Sequence, residues 1–345
     1  MTLVFFLVVL LPLLAACLAG HGRARGLVWL ALPWLPLPAL LMAALVSDAR
    51  VDVPWLLQGA RWQIDALRVP FLAAAALLWS AAGLYARGYQ SGDARAGLFL
   101  VCWCLCLAGN LWLILAGDAA GFYAGFALMT FAAWGLVVHA RSARALQAGR
   151  VYISMALLGE LAMLAGLLLA SEAADGSMVL SDMAAAIPDA PHQGWIVALL
   201  VAGFGVKAGL PVLHFWLPLA HPVAPTPASA VLSGAMIKAG LLGWLFLLPL
   251  GLTELPGWGA LLMALGLHTV ERVNVGSNGG CSIGILLAED HHFSQQAIRQ
   301  GDTHAAVSVI ELPAGGLYGF TFDFHECDVG RLLRLQLCQF RDCEA

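Results

Sequence analysis

Eight runs of about 20 mainly apolar residues recur within the first 250 positions of this 345-residue chain, at 2–20, 27–46, 66–86, 97–116, 119–138, 151–170, 194–213 and 228–250. A helix rises 1.5 Å per residue, so about 20 apolar residues match the hydrocarbon core of a bilayer. Lipid offers no partners to backbone groups, so each run must satisfy its own hydrogen bonds as a helix. A ninth run starts at 257 and reaches only Leu267. The predicted fold class is an all-α polytopic membrane protein with about eight transmembrane helices plus a partial ninth.

Composition agrees. Hydrophobic residues make up 61% of the chain and charged residues 11%, against about 25% charged in soluble domains. The net charge of −4 and the lack of a basic stripe argue against a nucleic-acid partner. The eight cysteines show no CxxC spacing, and Cys102, Cys104 and Cys106 read as small residues of a membrane helix. Leu14-Ala15-Ala16-Cys17 resembles a lipoprotein cleavage box, but no positive segment precedes it, so this run reads as the first span.

The loops alternate in charge. Arg23 and Arg25, then Arg87 and Arg95, then Arg141, Arg144 and Arg150 fall in every second loop. The loops between them are acidic or neutral, with Asp48, Asp52 and Asp65, then Asp118, then Glu172, Asp175, Asp182 and Asp189. The positive-inside rule predicts a multi-pass protein of the cell inner (plasma) membrane with its N-terminus outside.

The chain has only two lysines, Lys207 and Lys238, and both fall inside spans, whereas the arginines fall in loops, at helix ends or in the tail. Lys238 lies ten residues into its span, Lys207 thirteen, and Glu160 nine into the preceding span, so all three are expected in one layer near the midplane. A charge at that depth costs at least about 3 kcal/mol and usually marks an ion or proton path. The plainer reading is a Glu–Lys pair that only fixes helix register. Lysine suits proton handling because burial and a nearby carboxylate pull its proton affinity in opposite directions.

Gly209, Pro211 and Pro218, with Pro222, Pro225 and Pro227 beyond, predict a broken helix after Lys207. Broken helices at membrane depth line cavities or water paths. His214 lies seven residues from Lys207, and His221 seven from His214. If helix persisted, the three would share a face, and the histidines could extend a proton relay. A bland hydrogen-bonding role fits each histidine equally well.

The stretches Gly203-Phe-Gly-Val-Lys207-Ala-Gly-Leu-Pro-Val-Leu-His214-Phe-Trp-Leu-Pro218-Leu-Ala-His221-Pro and Ala224-Pro-Thr-Pro-Ala-Ser-Ala-Val-Leu-Ser-Gly-Ala-Met-Ile-Lys238-Ala-Gly resemble the antiporter-like proton-channel subunits. These occur in respiratory complex I (NADH:quinone oxidoreductase), hydrogenase-4-type complexes and multisubunit Na⁺/H⁺ antiporters. The resemblance implies about fourteen helices in two inverted five-helix repeats, each with a broken helix. It implies proton translocation coupled to chemistry elsewhere in a complex, with no cofactor, metal or catalytic site in the subunit itself. The partners implied are other membrane subunits and the lipid bilayer, with quinone involved only indirectly. Lys207 matches the family's central-channel lysine and Lys238 the lysine that links half-channels. Glu160 is expected to tune Lys207, with His214 and His221 lining the broken region.

Two departures stand out. Family members usually carry a glutamate in the fifth span that pairs with the central lysine, and here Ala127 takes that place. After Leu267 the chain turns polar. Residues 268–345 hold 5 Arg and 10 Asp/Glu and no further apolar run of 20. This predicts a transmembrane domain over 1–267 and an atypical soluble or disordered tail over 268–345, with a frameshift or rearrangement near codon 268 as its source. His291, His292, His304 and His325, with Cys281, Cys327, Cys338 and Cys343, match no zinc spacing. The function expected is a proton-translocating subunit of an NADH:quinone oxidoreductase or hydrogenase-type complex. A Na⁺/H⁺ antiporter subunit and a non-conducting scaffold are the alternatives.

Overall fold

The structure is a computed structural model that describes residues 2–57, 59–90, 92–249, 257–259 and 261, and three strands between 285 and 323. The chain divides into two units, Met1–Thr253 and Glu254–Ala345.

The first unit is a helical bundle. Its elements are α1 (Thr2–Gly20), α2 (Arg25–Leu45, with a 3₁₀ turn at Leu32–Trp34), α3 (Arg68–Tyr89), α4 (Ala96–Leu115), α5 (Ala119–Val137), α6 (Ala143–Ala173), the short α7 (Leu180–Ala186), α8 (Gln193–Ala208), the single turn α9 (Leu217–Ala220) and α10 (Thr226–Leu247). Among the described residues, seven helices are long and apolar enough to cross a membrane. They are α1 to α6 and α10, each built on one of the apolar runs. This is an all-α polytopic membrane protein.

The run 194–213 does not form a full span. Its helix, α8, stops at Ala208 after 16 residues. Gly209 takes a left-handed conformation with φ 78°, and Leu210 N–H turns back to Gly205 O at 2.8 Å. Glycine suits this helix end because it has no Cβ to clash. Pro211 follows in the turn and brings no N–H with which to restart a helix. Val212 also adopts a positive φ of 72°, a strained state for a β-branched residue. Pro218 opens α9 rather than breaking a helix. Lys207 and His214 therefore share no helical face.

The segment between α2 and α3 is a β-hairpin that the sequence reading took for loop. β1 (Ala49–Val53) pairs antiparallel with β2 (Ala60–Ile64), with Val51 opposite Trp62 and Asp52 opposite Arg61. Ala60, Trp62 and Ile64 alternate inward and are buried, the period-2 burial expected of a strand with one covered face. Asp118 ties this hairpin to the bundle. Its carboxylate accepts Gly121 N–H at 2.7 Å as the N-cap of α5 and Arg61 N–H at 2.7 Å from β2. Asp118→Ala removes both bonds and is expected to cost about 1–2 kcal/mol. A thermal melt in detergent that left the transition unchanged would exclude this tether.

Arg68 is buried at the start of α3. It donates to Ile114 O at 3.1 Å and Ala116 O at 2.8 Å, and it pairs with Asp65. The two carbonyls lie at the C-terminal end of α4, where helical carbonyls lack backbone donors.

Glycines set the closest helix approaches. A Cβ on Gly109 of α4 would sit 2.5 Å from Met129 N of α5, and one on Gly203 of α8 would sit 2.6 Å from Met163 N of α6. Small residues let membrane helices pack backbone to backbone, which is where their attraction comes from. The α6–α8 approach brings Glu160 and Lys207 to one place.

The second unit contains an antiparallel sheet of order β3-β5-β4, formed by β3 (Ile285–Ala288), β4 (Ala305–Glu311) and β5 (Leu317–Asp323). The expected boundary at 267/268 and the histidines and cysteines of the tail lie outside the described residues.

Candidate functional site

Lys207 sits in the last turn of α8 and is 3% exposed. Its Nζ donates to Thr130 Oγ1 of α5 at 3.1 Å and to the Tyr152 hydroxyl of α6 at 2.9 Å. Both hydroxyls spend their own protons elsewhere. Thr130 Oγ1 donates to Phe126 O at 2.9 Å, and the Tyr152 hydroxyl donates to Thr130 O at 3.1 Å. Each therefore presents only lone pairs to Lys207, so the site is organised to receive an ammonium, which is a donor and never an acceptor. Three aromatic rings surround the cation. Nζ lies 5.1 Å from the Tyr152 ring centre, 5.8 Å from Phe126 and 5.9 Å from Trp216. Trp216 is held by its indole N–H to Val206 O at 2.7 Å and by an edge-to-face contact with Tyr152 at 5.1 Å.

Two protons of the ammonium are thus engaged. Beside it lies a small, partly open pocket, lined by Phe126, Thr130, Tyr152, Glu160, Lys207, Trp216 and small neighbours including Gly159 and Gly203. Glu160 is 4% exposed, and its Oε1 is buried without a hydrogen-bond partner. Glu160 and Lys207 make no direct ion pair among the described residues. The pocket is mostly apolar, with the Glu160, Lys207, Thr130 and Tyr152 polar groups on its wall, and it has room for about one water.

Glu160 and Lys207 line one pocket, and Lys238 does not line it. Lys238 follows a π-helical turn at Leu232–Met236 within α10, and its Nζ donates to Ser233 O at 2.7 Å. Single π turns inside α-helices often occur at functional positions. His221 Nδ1 is bonded to Ser229 Oγ at 2.8 Å. His214 is exposed and stacks on Phe215, because the break at Gly209 turns it away from the Lys207 face. Ala127 does not line the pocket, and α5 meets Lys207 through Thr130 instead. Thr130 and Tyr152 were missed because a hydroxyl in an apolar helix costs little to bury and leaves no charge signal in the sequence. The available hint was their spacing, with Thr130 one turn after Ala127 and Tyr152 two turns before Glu160.

Residues 116–288 match the family described as NADH:quinone oxidoreductase/Mrp antiporter, TM. The chain belongs to this family. Thr130, Tyr152, Glu160, Lys207 and Lys238 all fall within the matched region. Over 227 residues the chain is 32% identical to hydrogenase-4 component B of Escherichia coli (strain K12), covering 63% of this chain and 33% of that protein. Over 190 residues it is 29% identical to NADH-quinone oxidoreductase subunit N of Desulforudis audaxviator (strain MP104C), covering 54% of this chain and 37% of the other. The chain thus spans about a third of the length of the curated relatives it matches. Its fold resembles a chain of the Mrp complex from Dietzia sp. DQ12-45-1b, with a TM-score of 0.68 at 23% identity over 78% of this chain and 30% of that one.

Proposed function

We propose that this chain is a proton-translocating subunit of a larger membrane complex of the NADH:quinone oxidoreductase or hydrogenase type, with Lys207 as its central proton carrier. The observation that carries the reading is the buried Lys207 ammonium, held by two lone-pair-presenting hydroxyls beside a pocket that also contains the unpartnered Glu160 oxygen. Membership of the family and likeness to hydrogenase-4 component B support it. Neighbouring membrane subunits supply the driving reaction. Residues 1–267 form the conducting part, with the N-terminus outside and the arginine-rich loops in the cytoplasm.

The chemistry follows from the geometry. The third ammonium proton faces the pocket, and a water there carries it between Lys207 and Glu160. A carboxylate held close keeps the proton on the lysine, and a carboxylate that recedes or becomes protonated lets it go. Motion of α6 against α8 changes that distance, because the two helices meet at Gly159 and Gly203. Lys238, on the helix that packs against α8 at Gly240, takes the proton onward, with His221 beside the path.

The test is proton uptake by vesicles containing the full chain under an imposed gradient, with and without sodium. Uptake above that of protein-free vesicles and independent of sodium supports the reading. Strict dependence on sodium favours the antiporter subunit, and uptake no greater than that of empty vesicles favours a scaffold. Glu160→Gln keeps the size of the side chain and removes its charge. It is expected to slow uptake about tenfold, less than the roughly 10²–10⁴-fold of a group that itself transfers the proton, and unchanged uptake would remove Glu160 from the relay.

A further inference from the structure

Between Lys207 and the hairpin end of the bundle lie four buried phenylalanines, Phe122 and Phe126 of α5, Phe204 of α8 and Phe246 of α10. Phe122, Phe126 and Thr130 recur every four residues and so share one face of α5. Phe122 stands three residues from the hairpin end of that helix, and Thr130 bonds Lys207. The step from Phe122 to Thr130 is eight residues, about 12 Å along the axis. The rings interlock. Phe122 meets Phe126 at 6.0 Å, Phe204 edge-on at 5.8 Å and Phe246 edge-on at 6.0 Å, and Phe126 meets Phe204 at 6.1 Å. At one end Lys207 Nζ lies 5.8 Å from the Phe126 ring, and at the other the Arg68 guanidinium lies 4.0 Å above the Phe246 ring.

We propose that this phenylalanine cluster, closed by Arg68, is a dry seal that stops protons on Lys207 from reaching the hairpin face of the membrane. The inference rests on the reading of Lys207 as a proton carrier. Three physical features argue for a barrier rather than simple core packing. Aromatic rings offer no strong acceptor to hydrated protons, and hydrophobic constrictions in membrane proteins exclude water and block conduction. Arg68 cannot relay a proton, since its guanidinium does not deprotonate in proteins, and its donors are committed to Ile114 O, Ala116 O and Asp65. A fixed buried positive charge also repels protons and cations, the device by which pores exclude them. Asp65 pairs with Arg68, and the Phe246 ring covers the face of its guanidinium. Phe126 is also a wall of the pocket that Thr130, Tyr152 and Glu160 line, so the cluster begins where the hydrogen-bonding surroundings of Lys207 end.

The experiment measures passive proton leak through the full chain in liposomes under an imposed membrane potential. Phe122→Ser and Phe246→Ser each put a hydroxyl and a void into the seal, and each is expected to raise the leak severalfold. Phe122→Leu keeps the site apolar and is expected to keep the leak low. Adding Lys207→Ala to Phe122→Ser is expected to bring the leak back down. If both serine variants melt like the native chain yet leak no more than it does, the seal is overturned. If they leak and Lys207→Ala does not suppress the leak, the seal stands and the carrier role of Lys207 falls.

Discussion

Lys207→Ala abolishes proton uptake by the full chain in vesicles, a loss expected to be at least about a hundredfold if the lysine is the transferring group. The alanine variant alone cannot separate a carrier from a fixed charge. Lys207→Arg does so. Arginine retains the positive charge and still donates to Thr130 and Tyr152, but it does not release its proton. Uptake is therefore expected to be lost in the arginine variant as fully as in the alanine variant. Near-native uptake with arginine would mean that position 207 acts only through its field. Folding is checked in the same preparations, because removing the ammonium strands the buried Glu160, and a buried charge without its partner is destabilising. The double variant Lys207→Ala/Glu160→Gln removes that complication, and it should melt above Lys207→Ala while remaining inactive.

The second large effect is structural. Gly203→Ala adds one methyl where Met163 N, Cα and Cβ lie 2.6 to 2.8 Å away. Backbone atoms cannot rotate out of the way, so α6 and α8 must move apart. Overpacking of this kind costs about 1–3 kcal/mol, expected as a lower melting temperature in detergent. Uptake is expected to fall as well, because the separation carries Tyr152 and Glu160 away from Lys207. Gly194→Ala in the first turn of the same helix is the matched comparison. Nothing lies within 4 Å of its added Cβ, and alanine in a helix is neutral or mildly stabilising. Equal melting temperatures for the two variants would rule out a glycine contact as the setting of this helix pair.

Most of the bundle was legible because the bilayer imposes one rule that sequence displays openly, an apolar run of fixed length. The run at 194–213 shows where that rule stops. Hydropathy carries a span through Gly209 and Pro211, while the backbone ends the helix at Ala208. The left-handed glycine decides the matter, and apolarity does not see it. The same break undid the inference that linked Lys207, His214 and His221 by sevenfold spacing, which holds only on continuous helix. The hairpin at 49–64 was hidden because two five-residue strands give too short an alternation to stand out beside 20-residue runs. At the site, the lysine was visible because a charge in an apolar run is rare and costly. Thr130 and Tyr152, which hold it, were invisible because they are neither.

The end of α8 has one more consequence. A helix carries roughly half a negative elementary charge at its C-terminus, from the carbonyls of its last turn. By stopping at Ala208, α8 places that fixed half-charge beside its own Lys207 instead of at the membrane surface. Glu160 can move or change protonation, but this backbone dipole cannot. The broken helix thus acts as a permanent counter-ion, so that a proton waiting on Lys207 is never wholly without compensation while its mobile partner is away.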